Sequence, residues 1–370
     1  MKSTLNFYYP SIEGGGLEKN LFSLINSLAK KKYKINFFTY ENNIKKKEFK
    51  KKFSFHKNIN VISSRIIPGV NHRYLKYIFC FFNLLRASLF RKNTIISFQN
   101  NILAIIVAKI TFNNIIIRCN TAPSKYIDNT LKKKFFTFFY SLSDIILVTS
   151  YDFKKEINKY FGLESKVHRQ TLDVLEIKKK SKVKFNFNFF NRFNGLKIIN
   201  IGRLTDQKDQ LTLLKAFSNL IKYRKARLLI IGNGNNKKKL LNFVKKNKLN
   251  DFVKFIPFTN NPFKYLSVSN VKVLSSKYEG NPNILLETAC LKKLIISTNC
   301  KVGPREILQS GKGGILFKVG DYHKLFLILK KVDVNSYSLK SKINTSYNYV
   351  KQNFQKDISN TFLNLVKHLI

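Results

Sequence analysis

Apolar runs alternate with polar, helix-spaced stretches along most of this chain. TLNFYYP is a short apolar run ending at Pro10. EGGGLEKNLFSLINSLAKK follows, with Leu17, Leu21, Leu24, Ile25 and Leu28 at helical spacing. KINFFTY predicts another strand, and NTIISFQ (93–99), NNIIIRC (113–119) and DIILVTS (144–150) continue the series. This βαβα alternation predicts a parallel sheet with helices on both faces. The rhythm breaks at 177–194, where KKKSKVKFNFNFFNRFN is charged, aromatic and aperiodic, and reads as an interdomain linker or loop. A second series then begins. LKIINIGR, ARLLIIGNG, FVKFIPF, VKVLSS and KLIISTN predict strands. QLTLLKAFSNLIKYR, NKKKLLNFVKKNKL, ILLETACLK and the tail DISNTFLNLVKHLI predict helices. The expected fold class is α/β, with two Rossmann-like doubly wound domains facing across a cleft. The expected boundaries are 1–176, a linker at 177–194, a second domain at 195–350 and a terminal helix at 351–370. Ligands of open α/β sheets bind at the carboxyl ends of strands, so the chemistry is expected at strand-to-helix turns.

Composition narrows this picture. With 370 residues, 44% of them hydrophobic and 14% aromatic, the chain can fill two cores and is not of a disordered class. Cys80, Cys119, Cys290 and Cys300 lie far apart and fit neither a disulfide framework nor a zinc pattern, which points to a reducing cytosol. The N-terminus lacks the continuous apolar core of a signal peptide. The most apolar stretch, YIFCFFNLLRASLF (77–90), is too short to span a bilayer and contains Arg86. It reads as a core helix or as a helix lying in a membrane interface. The net charge of +48 has three readings: a solvated surface produced by AT-rich coding, attraction to anionic lipid, or nucleic-acid binding. No zinc module or RNA-binding signature accompanies the basic residues. Runs such as NIKKKEFKKKF (43–53) read as exposed faces or loops.

Acidic residues are scarce, 20 against 68 basic ones, yet SSKYEGNPNILLETAC places Glu279 and Glu287 around a helix start. Pro282 suits the first helical position, where a missing N–H costs nothing. The amides around Asn281, Asn283 and Ile284 then form an anion or hydroxyl site at the helix N-terminus. Carboxylates on either side suit sugar hydroxyls, since each accepts two or more hydrogen bonds. Glu287 alone is equally explained as a complement to the helix dipole. In IGRLTDQKDQ, Arg203 and Lys208 follow a strand, where two cations suit a diphosphate. Two more basic residues in a basic chain is the plainer alternative. IEGGGLEKNL lets backbone approach a ligand closely but has neither Rossmann nor Walker A spacing. IIGNGNNKK reads as a tight turn. Arg118 and Asn120 stand at another strand end in IIIRCNTAP. The five histidines (His56, His72, His168, His323, His368) are scattered with no metal-ligand spacing, and no Ser/His/Asp arrangement is visible.

Taken in order, EGGGLEKNL, SLSDIILVTSYDFKKEI, IGRLTDQKDQLTLLKAF, LLIIGNGNNKKKL, SSKYEGNPNILLETAC and GPREILQSGKGGILFKVGD resemble glycosyltransferase family four, retaining enzymes of the GT-B fold. The resemblance implies a nucleotide-sugar donor, UDP- or GDP-linked, as substrate rather than any cofactor, and no metal. It implies that Arg203 and Lys208 hold the diphosphate, that Glu279 meets the donor sugar, and that Glu287 meets the ribose. It further implies that the amides of Gly280, Asn281, Asn283, Ile284 and Leu285 serve sugar and phosphate oxygens. Gly14, Gly15 and Gly16 are implied to approach the phosphates from the other domain. No protein nucleophile is implied; the leaving phosphate helps deprotonate the acceptor on the same face. The terminal helix is implied to cross back onto the first domain. Many relatives carry histidine where Asn120 falls, and RCNTAP is similar to a subset with Arg-x-Asn there, which assigns Arg118 and Asn120 to the donor side. HRQTLDV (168–174) replaces the usual Asn-Pro before the linker. The expected role is sugar transfer to a glycan or lipid-linked acceptor in bacterial surface polysaccharide or lipopolysaccharide synthesis. The expected place is the cytoplasm, peripheral at the inner face of an anionic membrane, with no specific nucleic acid. A GT-B nucleotide-sugar epimerase and a basic nucleic-acid-binding protein are the alternatives.

Overall fold

The computed structural model describes residues 3–12, 16–40, 55–63, 73–90, 92–355 and 357–370. Gly14, Gly15, His72 and the basic run 43–53 lie outside the described residues. The chain divides into two compact units, residues 1–171 with 356–370, and residues 172–355.

The first unit is built on a parallel seven-stranded sheet. Its strands are β1 (Thr4–Tyr8), β2 (Lys34–Thr39), β3 (Ile59–Ser63), β4 (Thr94–Ser97), β5 (Asn114–Arg118), β6 (Ile145–Val148) and β7 (Lys166–Val167). Their order is β3-β2-β1-β4-β5-β6-β7, so the winding direction reverses between β1 and β4. β4 and β6 are buried at every position, as strands covered on both faces require. One face packs on the helix Gly16–Lys30 through Leu21, Leu24, Ile25 and Leu28, the helical spacing seen in the sequence. The helix Arg73–Ser88 has two faces. Cys80 and Leu84 are buried, whereas Tyr74, Ile78 and Phe82 are exposed at four-residue intervals. The stretch 77–90 is thus a helix with one side in the core and apolar residues exposed on the other.

The last helix, Ile358–Val366, belongs to this first unit. Ile358, Phe362 and Val366 enter its core. Asp357 caps the helix by accepting from the amides of Ser359 and Asn360, and pairs with Lys31 at 3.0 Å. Thr94 Oγ1 donates to the Leu369 carbonyl at 2.6 Å, and Lys166 Nζ to that of Leu365 at 3.1 Å.

The second unit holds a parallel six-stranded sheet. Its strands are β8 (Leu196–Ile201), β9 (Ala226–Ile231), β10 (Val253–Ile256), β11 (Val271–Leu274), β12 (Leu294–Thr298) and β13 (Ile315–Phe317). The order β10-β9-β8-β11-β12-β13 reverses between β8 and β11. A reversal makes the connections on either side leave in opposite directions, which opens a crevice at the carboxyl ends of the two strands. Residues 177–194, expected as a linker, are part of this unit. They begin inside a helix, Val174–Ser181, capped by Asp173. Phe187 and Phe190 then pack on Ile199, Leu229 and Ile231. Arg227 lies between the rings of Phe189 and Phe193, at 5.3 and 4.5 Å, and donates to the Phe189 carbonyl at 2.6 Å. The aromatics that looked aperiodic along the chain cover one sheet face, a purpose that needs neither helical nor strand spacing.

Candidate active site

The turn after β8 is fixed by backbone contacts. Gly202 donates to the Ile231 carbonyl at 3.0 Å, and Leu204 to that of Asn233 at 2.8 Å. The glycines of IIGNGN make this approach possible. A Cβ on Gly232 (φ +151°) would stand 1.9 Å from the Gly202 carbonyl oxygen, and one on Gly234 (φ +158°) 2.3 Å from that of Leu204. The turn is therefore a brace for the chain that carries Arg203. Gln210 Nε2 donates to the Arg203 carbonyl at 2.9 Å. Asp209, in the left-handed region at φ 44°, caps the helix Gln210–Leu220 by accepting from Thr212.

The loop after β11 is tied to that turn. Lys277 donates its amide to the Gln207 carbonyl at 2.8 Å, Gln207 Nε2 donates to the Tyr278 carbonyl at 3.1 Å, and Ser275 Oγ donates to the Lys208 carbonyl at 3.0 Å. These bonds bring Lys208 onto Glu279, with Nζ to Oε1 at 2.6 Å. Ser276 Oγ donates to the same oxygen at 2.6 Å, and Thr298 Oγ1 holds the Ser276 carbonyl at 2.7 Å. Glu279 is 8% exposed. Arg203 is exposed, and its guanidinium makes no hydrogen bond or ion pair among the described residues. The reversal point of the sheet thus carries a largely enclosed Lys–Glu pair with a free guanidinium on the adjoining turn.

The helix expected after the Asn-Pro-Asn loop is Asn283–Cys290. Pro282 stands one place earlier than expected, as the cap residue with extended backbone. The Leu285 amide donates to the Pro282 carbonyl at 2.9 Å, so it is not available to a ligand as the resemblance implied. Asn283 and Ile284 lie in the first turn, where backbone N–H groups have no intrahelical acceptor. Asn281 adds a buried amide nitrogen, Nδ2, with no hydrogen-bond partner. Glu287, half-buried, follows Asn283 by one helical turn. The loop also meets GPRE: a Cβ on Gly303 would stand 2.4 Å from the Gly280 carbonyl oxygen and 2.8 Å from Pro282 Cδ.

In the first unit, Gly16 opens the helix Gly16–Lys30. Arg118 is enclosed at 2% exposure rather than presented at the end of β5. Its Nη1 donates to His168 Nδ1 at 2.6 Å and its guanidinium lies 5.2 Å from the Phe98 ring centroid. Burial pushes Arg118 down to about 10, so it remains charged at neutral pH. Burial, and then the Arg118 charge, push His168 down to about 3. His168 is therefore neutral; Nδ1 accepts from Arg118, and Nε2–H donates to the Ile358 carbonyl at 3.3 Å. The pair meets the last helix through that carbonyl and through the His168–Phe362 ring contact at 5.5 Å. Asn120 Nδ2 is likewise engaged, with the Phe98 carbonyl at 2.7 Å.

Sequence reasoning passed over three contributors: Ser276, Gln207 and Lys272. Lys272 is the informative omission, because a lysine inside the apolar run VKVL is visible in the sequence. Its side chain is fully buried. Burial and Lys208 push its ammonium down to about 7, against the pull of Glu279. Among the described residues no group of three His, Cys, Asp or Glu side chains is placed to hold a metal ion. No described helix is long and apolar enough to cross a membrane, and the four cysteines are buried and form no disulfide.

Residues 184–339 match the family model described as Glycosyl transferases group 1. An uncharacterized glycosyltransferase of Methanocaldococcus jannaschii is 37% identical over 178 residues, 47% of this chain and 44% of that protein. The N-acetylgalactosamine-N,N'-diacetylbacillosaminyl-diphospho-undecaprenol 4-alpha-N-acetylgalactosaminyltransferase of Campylobacter jejuni is 26% identical over 221 residues, 58% of this chain and 59% of that protein. The chain thus spans about half the length of these curated relatives, 44% and 59%. In solved structures, HepE of Anabaena in complex with UDP superposes with a TM-score of 0.77 at 13% identity, covering 100% of this chain and 99% of that one. The chain has the GT-B fold, and its segment 184–339, which lies wholly within the second unit, is similar in sequence to the group 1 glycosyl transferases.

Proposed function

We propose that this chain is a retaining glycosyltransferase that moves a sugar from a nucleotide-diphosphate sugar to a glycan or lipid-linked acceptor. The observation that carries the reading is the Lys208–Glu279 pair at the β8/β11 reversal, with Arg203 unengaged beside it. A diphosphate entering this crevice meets Arg203 and competes with Glu279 for Lys208. Once Lys208 turns to phosphate, the Glu279 carboxylate, still held by Ser276, is released to accept from sugar hydroxyls. The two cations then face the oxygens on which charge develops as the sugar–phosphate bond breaks. This supplies the leaving-group stabilisation without a metal. The first-turn amides of Asn283 and Ile284 and the Asn281 amide are donors for the remaining oxygens. Glu287 serves the ribose, and the leaving phosphate takes the acceptor proton. The donor is UDP- or GDP-linked; UDP is what the Anabaena neighbour binds.

The acceptor is proposed to be membrane-borne, within surface polysaccharide or lipopolysaccharide synthesis. The Campylobacter relative is named for a diphospho-undecaprenol substrate. The exposed Tyr74, Ile78 and Phe82 on the helix Arg73–Ser88, with exposed Arg86 on the same helix, suit the interface of an anionic leaflet. The test is transfer from radiolabelled nucleotide sugars to membrane extracts. Glu279→Gln, which keeps an acceptor for Lys208 and Ser276, and Arg203→Ala should each lower kcat/KM by two orders of magnitude or more while the melting temperature holds within a few degrees. Unchanged turnover in both variants rejects the reading. Conversion of donor to an epimer without acceptor would establish the epimerase alternative instead.

A further inference from the structure

Lys272 lies in β11, where all four residues are buried. In register it sits beside Ile199 of β8 and Ile295 of β12, so its stem crosses an apolar sheet face. Its Nζ donates to the Val273 carbonyl at 3.0 Å, and Asn200 Nδ2 donates to the same carbonyl at 3.0 Å. The β8–β11 ladder ends at Lys272, so the ammonium lies where the two strands part. The charged groups acting on it come from the loops above: Lys208 after β8 and Glu279 after β11. Around it the other charges act elsewhere. Lys197 on β8 acts on Lys293 before β12, and Glu287 and Lys178 act on Cys290. One carboxylate therefore serves two enclosed lysines. A buried ammonium with a single carbonyl partner is costly, and an apolar residue would fill this strand position at no such cost.

We propose that Lys272 is a proton-linked positioning residue of the donor site: it takes up a proton when a nucleotide diphosphate binds above it. The proposal rests on the glycosyltransferase reading of the site. When Lys208 turns from Glu279 to phosphate, Glu279 loses its cation. The Lys272 ammonium beneath then keeps the carboxylate ionised and directed at the sugar. The proton comes from bulk solvent, at most one for each donor bound. In the free protein Lys272 titrates near neutrality, being pushed down to about 7. A bound anion raises that value, because opposite charge favours the protonated form. The affinity therefore falls as pH rises above about 7, by at most about tenfold per pH unit for a single proton.

The experiment is titration calorimetry of the full chain with UDP-glucose, and in parallel GDP-mannose. Their diphosphate diesters do not titrate between about pH 7 and 8.5. At about pH 8, buffers of different ionisation enthalpy should report uptake of a large fraction of one proton. The Kd should rise several-fold between about pH 7 and 8.5. Lys272→Met should keep or raise the melting temperature and abolish both the uptake and the pH slope. Binding without proton uptake by the wild-type chain, or a slope that survives Lys272→Met, overturns the role of Lys272 and leaves the donor site standing. The wild-type measurement decides by itself if the variant does not fold. Absence of binding by either nucleotide sugar at every pH overturns the site and the proposal together.

Discussion

At the scale of single residues, the site is decided by which polar groups are already occupied. Glu279 and Lys208 stand 71 positions apart in sequence yet share a 2.6 Å ion pair. Glu287 stands on the helix that follows the loop, as the sequence reading expected. A buried pair of this kind contributes little net stability, since the desolvation of both ions offsets their attraction. In the proposed reaction its value is that it presents a charge which a ligand can exchange. Gly232 shows how little room supports this arrangement. Gly232→Ala forces a Cβ to 1.9 Å from the Gly202 carbonyl oxygen at a φ of +151°. The strain should cost at least about 1 kcal/mol in urea denaturation. It should also weaken nucleotide-sugar binding, because the displaced turn carries Arg203. A stable Gly232→Ala with full affinity would show that the brace is dispensable.

At the scale of elements, the last helix is held by a terminus rather than by length. Ile358–Val366 has nine residues, too few to persist alone in water. Asp357 caps it and reaches Lys31, the residue just after the helix Gly16–Lys30. Burial works against the charged carboxylate, but the bonds from Ser359, Lys31 and two backbone amides outweigh this and hold the group well below the usual range. A depressed carboxyl stabilises the fold above its unfolded value, near pH 4, and that contribution is lost as pH falls through the folded value. Asp357→Ala should cost about 1 kcal/mol, most of it from the cap, since the ion pair is partly exposed. The measurable sign is faster proteolysis near residue 357 at neutral pH. The difference from wild type should vanish in acid. A helix equally protected in both proteins would place its anchoring in Phe362 and Val366 alone.

At the scale of the whole molecule, the +48 charge and the exposed apolar helix face make one joint prediction. The protein should float with anionic vesicles at low salt and be released at high salt, where the Debye length falls to a few ångströms. Ile78→Ser with Phe82→Ser should weaken flotation without a loss of stability above about 0.5 kcal/mol, because both side chains are exposed. Salt-independent failure of the wild-type protein to float would return the charge to composition alone.

Much of the fold could be read from periodicity, because both sheets are parallel and buried. A strand covered on both faces reads as a largely apolar run, as in IILV (145–148) and LLII (228–231), and its connecting helices are amphipathic. Residues 177–194 escaped that logic: Phe187 and Phe190 are set by the sheet they cover, not by a repeat. The chemical residue types around Arg203, Lys208 and Glu279 were also visible, because turns at strand ends are local in sequence. Which of them touch was not. The Lys208–Glu279 pair, the enclosure of Arg118 against His168 and the placement of Lys272 beneath the crevice each depend on strands brought together from distant positions. Local periodicity specifies which face of an element is apolar; the neighbours of a charge, and hence its ionisation and its role, exist only once the sheet order has brought them together.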